Sequence, residues 1–167
     1  MAEVTLKGNP CRTAGDLPAV DNTAPEFRLV GGDLSEKSLS DFAGKTIILN
    51  IVPSFDTPTC ALSVQAFNQK AGQLEGTEVV NVSMDLPFAQ KRFCESHNVD
   101  HVTSLSAFRN DSFGNDYGVG LIDGPLQGLL TRAVIVVGPD GNVRHSQLVS
   151  EIADEPDYDS ALAAVST

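Results

Sequence analysis

The sequence predicts a mixed α/β fold: a central sheet with helices on both faces and an N-terminal β-hairpin. Three observations carry this. Apolar, β-branched runs recur at Thr46–Val52, Thr77–Ser83 and Thr131–Val137, each the length of a buried strand. Stretches with helical spacing follow the first two runs. The chain then closes with a turn, a further strand and a last helix, and this order argues for a mixed sheet between helical layers.

The elements follow in order. VTLKGNPCRTAG alternates around Gly8-Asn9-Pro10, as a small hairpin does, which puts Cys11 near a turn. The next stretch, LPAVDNTAPEFRLVGGDLSEKSLSDFAGK, is broken by Pro and Gly and carries one short strand near Phe27–Val30. Thr46–Val52 is a strand, and a helix runs from about Cys60 to Gln73. Thr77–Ser83 (TEVVNVS) is the second apolar strand. Leu86–His97 reads as a helix, with Asp85 as its N-cap and Pro87 in its first turn.

Val102–Ala107 is a weaker strand and Ser112–Tyr117 a short helix. GVGLIDGPLQGLL is apolar but Gly-rich and reads as a loop. Thr131–Val137 (TRAVIVV) is the clearest strand. Pro139-Asp140-Gly141-Asn142 turns it back into Asn142–Val149, making a hairpin. Pro156–Val165 is a closing helix. No repeat, low-complexity tract or linker divides residues 1–167, so a single domain is expected.

Composition narrows the function. A chain of 167 residues buries enough surface for a core without staples. A formal net charge of −11 opposes binding to nucleic-acid phosphates and to anionic membranes. No apolar run approaches the ~20 residues of a membrane span, and MAEVTLKGNP lacks the pattern of a secretory signal. Three cysteines (Cys11, Cys60 and Cys94) are too few for a disulfide scaffold. These traits suit a soluble protein of a reducing compartment, where cysteines are more often reactive or metal-binding than structural.

The chemistry centres on Pro53-Ser54-Phe55-Asp56-Thr57-Pro58-Thr59-Cys60. This run places Cys60 where a strand hands over to a helix, in the helix's first turn. Backbone N–H groups there are unpaired and the helix dipole is positive, so a thiolate is stabilised relative to the thiol. A free cysteine is ordinarily a small buried hydrophobe; the spacing Pro-x-x-x-Thr-x-x-Cys sets this one apart. The Thr57 hydroxyl can donate to the sulfur or to an oxygen approaching it. Pro53 lacks an N–H and can shield the sulfur without competing for its hydrogen bonds.

The fuller run PSFDTPTC, followed by SMDLPFAQKRFC, resembles the thiol peroxidase subfamily of the peroxiredoxins, the bacterial atypical two-cysteine type. The resemblance extends from VTLKGNP through Gly15-Asp16-Leu17-Pro18-Ala19-Val20 to EIADEPDYDSAL, nearly the whole chain. It implies a thioredoxin-like fold, with which the order of elements is compatible. It further implies that Cys60 is the peroxidatic nucleophile, that Thr57 orients thiolate and peroxide, and that Pro53 shelters them. Arg132, otherwise readable as a surface arginine at a strand edge, takes the family's arginine position and would supply charge and donors beside Cys60. Cys94, 34 positions after Cys60, takes the role of resolving cysteine, which condenses with the Cys60 sulfenic acid. Since disulfide formation needs Cα atoms within about 7 Å, one or both helices are expected to unwind locally in each cycle. Cys11 has no place in the pattern and is read as a bystander.

The expected activity is therefore reduction of hydrogen peroxide and organic hydroperoxides by cysteine chemistry alone, with no haem, flavin or metal. The resemblance also implies thioredoxin as reductant, a homodimer and a cytoplasmic location. An alternative from another class is a redox sensor or oxidation-dependent binding protein using the same disulfide switch; Thr57 and Arg132 speak against it. A thioredoxin-like reductase would need a C-x-x-C motif, which is absent. Cys94 and His97 alone make a poor metal pair.

Overall fold

The computed structural model describes residues 1–110 and 112–166. Its centre is a seven-stranded mixed sheet in the order β4-β3-β7-β6-β5-β8-β9. The strands are β3 (Arg28–Val30), β4 (Glu36–Ser38), β5 (Thr46–Ile51), β6 (Thr77–Ser83), β7 (Thr103–Ser106), β8 (Ala133–Val137) and β9 (Val143–Leu148). A separate two-stranded sheet joins β1 (Glu3–Leu6) to β2 (Asn9–Arg12). The helices are α1 (Pro58–Ala71), α2 (Pro87–Ser96), α3 (Ser112–Asp116) and α4 (Tyr158–Val165), with a 3₁₀ turn at Leu39–Phe42.

β5 lies in the middle, parallel to β6 and antiparallel to β8. All six of its residues are buried. A strand covered on both faces needs apolar residues at odd and even positions alike, so it reads as a continuous run. Ile47, Leu49 and Ile51 face a core shared with Phe27, Phe113 and Tyr117. Ile48 faces the opposite way, toward Phe67 of α1 and Ala161 of α4. Helices thus lie on both faces, α1 and α4 on one and the short α3 on the other. α2 packs on β7, and its Phe93 meets Val64 of α1 in a third cluster.

Three sequence expectations shift. β4 was not anticipated: Glu36-Lys37-Ser38 pairs antiparallel with β3 at the sheet edge, where a polar, exposed strand carries no apolar signal. The N-terminal hairpin exists, but it turns at Lys7-Gly8, both with positive φ, rather than around Gly8-Asn9-Pro10. Cys11 therefore lies inside β2, opposite Val4, and is buried against Leu121 and Ile152 instead of sitting at a turn. Leu86, not Asp85, is the N-cap of α2, and it caps without a side-chain hydrogen bond. Asp85 is spent elsewhere, as described below. The turn at 138–142 closes as expected, with the Gly138 N–H donating to the Asn142 carbonyl and Gly141 at φ +84°.

Candidate active site

β5 delivers the chain to Val52 and Pro53, both buried, and α1 starts five residues later. Thr57 is the N-cap: its backbone is extended and its hydroxyl oxygen accepts from the Cys60 N–H at 3.4 Å. Pro58 follows at the first helical position, where a missing N–H costs nothing. Cys60 is the third residue of the helix, and its side chain is wholly buried, at 0% exposure.

Arg132 immediately precedes β8 and is also buried, at 1% exposure. Its Nη2 donates to Cys60 Sγ at 3.2 Å and its Nε donates to the Ile152 carbonyl at 2.8 Å. Its Nη1 is buried and has no hydrogen-bond acceptor among the described residues. Among the described residues no carboxylate forms an ion pair with it. A buried guanidinium without a carboxylate is costly unless another anion balances it. The group that stands against it is the Cys60 sulfur. The alternative reading, a surface arginine at a strand edge, does not hold, because the side chain is buried.

A cavity of about 340 Å³ adjoins this pair. Pro53, Thr57 and Arg132 line it together with Leu6, Leu126 and Ile152. The apolar 118–130 segment thus contributes Leu126 to the wall. Lys7, from the hairpin turn, stands at the same cavity.

The Thr57 hydroxyl differs from expectation. It donates to the Ser54 carbonyl at 3.3 Å while accepting from Cys60 N–H, so its proton is not directed at the sulfur. It fixes the first turn and borders the cavity. A further residue matters here that spacing alone misassigned. The Asp85 carboxylate accepts from the Ser54 hydroxyl at 2.8 Å, the Phe55 N–H at 2.8 Å and the Ser83 hydroxyl at 2.7 Å. It ties the loop after β5 to the end of β6. The signal for it was its place directly after an apolar strand, beside the parallel strand's own exit loop.

Cys94 lies on α2 and is half-buried, in the same apolar cluster as Cys60, Phe55, Val64 and Phe93. Cys11, Cys60 and Cys94 are not joined by a disulfide. Its Sγ lies 3.6 Å from the Ser104 hydroxyl. Burial pushes the Cys94 thiol above its ordinary range; the Ser104 hydrogen bond opposes this and the charge of Glu95 adds to it. His97, three residues on, stacks on Phe93 with ring centroids 4.1 Å apart. Among the described residues no group of three or more His, Cys, Asp or Glu could hold a metal, and no helix is long and apolar enough to cross a membrane.

The arrangement is that of a buried cysteine sulfur held by a fixed cation, and that cation's residue itself lines the adjoining cavity. It can attack an electrophilic atom bound there and stabilise the charge that leaves.

Comparison with known proteins agrees. The Redoxin family model matches residues 19–162. A thiol peroxidase of Mycobacterium bovis is 55% identical over 165 residues, 99% of each chain. One of Corynebacterium glutamicum is 50% identical over the same length and share. Among solved structures, a peroxiredoxin-like protein from Aquifex aeolicus superposes with a TM-score of 0.94 at 43% identity, covering 99% of this chain and 96% of its own. With its thioredoxin-like fold, the chain belongs to the redoxin family, in the thiol peroxidase branch of the peroxiredoxins.

Proposed function

We propose that the protein is a thiol-dependent peroxidase that reduces hydrogen peroxide and organic hydroperoxides with Cys60 as nucleophile. The observation that carries this is the buried Arg132–Cys60 contact, with the second guanidinium nitrogen unpartnered and the cavity of Pro53 and Thr57 beside it.

In the first step the Cys60 thiolate attacks one peroxide oxygen. The S–O bond forms as the O–O bond breaks. The other oxygen leaves as hydroxide or alkoxide and is protonated to water or alcohol. Arg132 holds the thiolate through Nη2, and its free Nη1 donates to the peroxide oxygens as negative charge moves onto them. Pro53 and Thr57 confine the reacting atoms. Cys60 is left as a sulfenic acid.

In the second step the Cys94 thiol condenses with that sulfenic acid, releasing water and forming a Cys60–Cys94 disulfide. Both residues belong to one apolar cluster but lie on separate helices, so the first turn of α1, the end of α2, or both open locally. A dithiol reductant of the thioredoxin type then restores both thiols by exchange. Residues 1–167 act as a single domain, and a cytoplasmic homodimer is the form expected of this branch. No step requires a metal or organic cofactor.

The test is steady-state peroxide consumption with thioredoxin, comparing wild type with Cys60→Ser. Consumption of many equivalents per chain by the wild type, lost in the variant, supports a peroxidase. Slow, near-stoichiometric oxidation of the wild type would favour a redox sensor using the same pair.

A further inference from the structure

Glu151 follows the last strand of the sheet and has no part in the chemistry above. Its carboxylate nonetheless accepts four hydrogen bonds from two separate segments. Oε2 takes the Ala153 N–H at 2.9 Å and the Lys7 N–H at 3.1 Å. Oε1 takes the Gly8 N–H at 2.8 Å and the Thr5 hydroxyl at 3.1 Å. These donors, the Ala153 N–H first and the Gly8 N–H next, hold the carboxyl down at about 2. Glu151 is therefore ionised throughout the range in which a thiolate operates.

The Ala153 N–H and the Ile152 C=O are two ends of one planar peptide group. Its N–H end is held by Glu151 Oε2, and its C=O end receives Arg132 Nε at 2.8 Å. An anion at the N–H end fixes the plane and strengthens the carbonyl as an acceptor. Among the described residues that carbonyl is the one oxygen to which the Arg132 guanidinium donates a hydrogen bond, so it sets the direction in which Nη2 and Nη1 point. The same carboxylate clasps the Lys7-Gly8 turn, whose Lys7 borders the cavity along with Ile152 and Ala153. The Ile152 N–H donates to the Thr5 carbonyl at 2.8 Å and closes the clasp from the backbone side.

We propose that Glu151 is a positioning residue of the peroxide site: through the Ile152–Ala153 peptide it aims Arg132 at Cys60 and holds the hairpin turn as a cavity wall. This rests on the reading of Cys60 and Arg132 as the peroxide-reducing pair.

Glu151→Gln tests it, because the amide keeps the shape but replaces one acceptor with a donor facing donors. Rapid-quench mass spectrometry would follow Cys60 oxidation by hydrogen peroxide in wild type, E151Q, R132M and the double variant, with thermal unfolding of each recorded. E151Q is expected to slow oxidation by between about 10- and 100-fold, as small displacements of a positioned group do. In the R132M background the same change is expected to cost under about twofold, since the route through Arg132 is already gone. E151D, which keeps both oxygens, is expected to recover part of the rate, and carries the same cycle should E151Q not fold. An equal fold-loss in both backgrounds would mark a structural clasp and overturn the proposal, as would wild-type rates in E151Q. Wild-type protein whose Cys60 does not react with peroxide would overturn instead the reading on which it rests.

Discussion

Arg132 and Cys60 form a buried pair: the guanidinium Nη2 stands 3.2 Å from the sulfur, and neither side chain reaches solvent. The pair explains why an arginine occupies the threshold of a strand whose five residues are all buried. Among the described residues no carboxylate pairs with this guanidinium, so the Cys60 sulfur and the Ile152 carbonyl are the groups that face it.

Arg132→Met keeps much of the volume and removes the charge and both terminal donors. The rate constant for Cys60 oxidation by peroxide is expected to fall by about 10²–10³-fold, the usual cost of losing a fixed donor to a developing anion. Arg132→Lys should recover only part of it, because one ammonium cannot span the Ile152 carbonyl, the sulfur and the peroxide as a planar fork does. Stopped-flow or rapid-quench measurement of thiol loss checks both. Wild-type rates in Arg132→Met would remove Arg132 from the mechanism.

Thr57 acts first as a cap. Its hydroxyl oxygen accepts the Cys60 N–H, and its proton goes to the Ser54 carbonyl. Thr57→Val is expected to cost about 1 kcal/mol of stability, as loss of an N-cap does, and to slow peroxide reduction by loosening the first turn that carries Cys60. Thr57→Ser keeps the oxygen and should stay close to wild type in both respects. Denaturant unfolding and peroxide kinetics on the two variants separate this from a purely steric role, in which Val, nearly isosteric with Thr, would be harmless.

Asp85 holds the Ser54 and Phe55 end of the loop between β5 and α1 against β6. Asp85→Asn presents an amide N–H₂ where at least one of the three donors now points, leaving that donor unpaired. A stability loss of about 1–3 kcal/mol follows, along with slower Cys60 oxidation as Pro53 shifts. Chemical denaturation and single-turnover kinetics test the two effects. A variant destabilised yet fully active would show that the loop's position is held by packing alone.

The legible parts of the molecule are those whose signal is local. β5, β6 and β8 are buried on both faces, so their apolar runs read directly. The Thr57–Cys60 spacing marks a cap and a helix start within four residues. What was not legible depends on contacts between distant segments. Glu36-Lys37-Ser38 forms a strand because β3 offers an edge, not because of its own residues. Cys11 is buried by Leu121 and Ile152, more than a hundred positions away. Asp85 looks like a helix cap until Ser54 and Phe55 are brought beside it. The cavity wall joins Lys7, Leu126 and Ile152, which no local pattern links. The direction of the Thr57 hydroxyl is a local matter, but it turns on the loop conformation that brings the Ser54 carbonyl within reach, which residue spacing does not specify.

The last prediction concerns the second cysteine. Burial, reinforced by Glu95, keeps the Cys94 thiol protonated beyond its ordinary range. The neutral thiol is thus the form present at neutral pH, so Cys94 does not compete with Cys60 for peroxide. Condensation with the sulfenic acid nevertheless proceeds through the thiolate. Formation of the Cys60–Cys94 bridge should therefore accelerate as pH rises and level off only above the ordinary thiol value of ~8.5. Glu95→Gln removes a repulsive charge, which lowers the Cys94 value and should speed bridge formation at neutral pH while leaving the first attack on peroxide unchanged. Cys94→Ser should react once, stop as the sulfenic acid, and pass to sulfinic acid under excess peroxide. Non-reducing peptide mapping of samples quenched at several pH values reads all three outcomes. A bridge from Cys60 to Cys11, or between two Cys60 residues, would remove Cys94 from the resolving role. A rate of bridge formation independent of pH would mean that helix opening, rather than the chemistry at Cys94, limits the step.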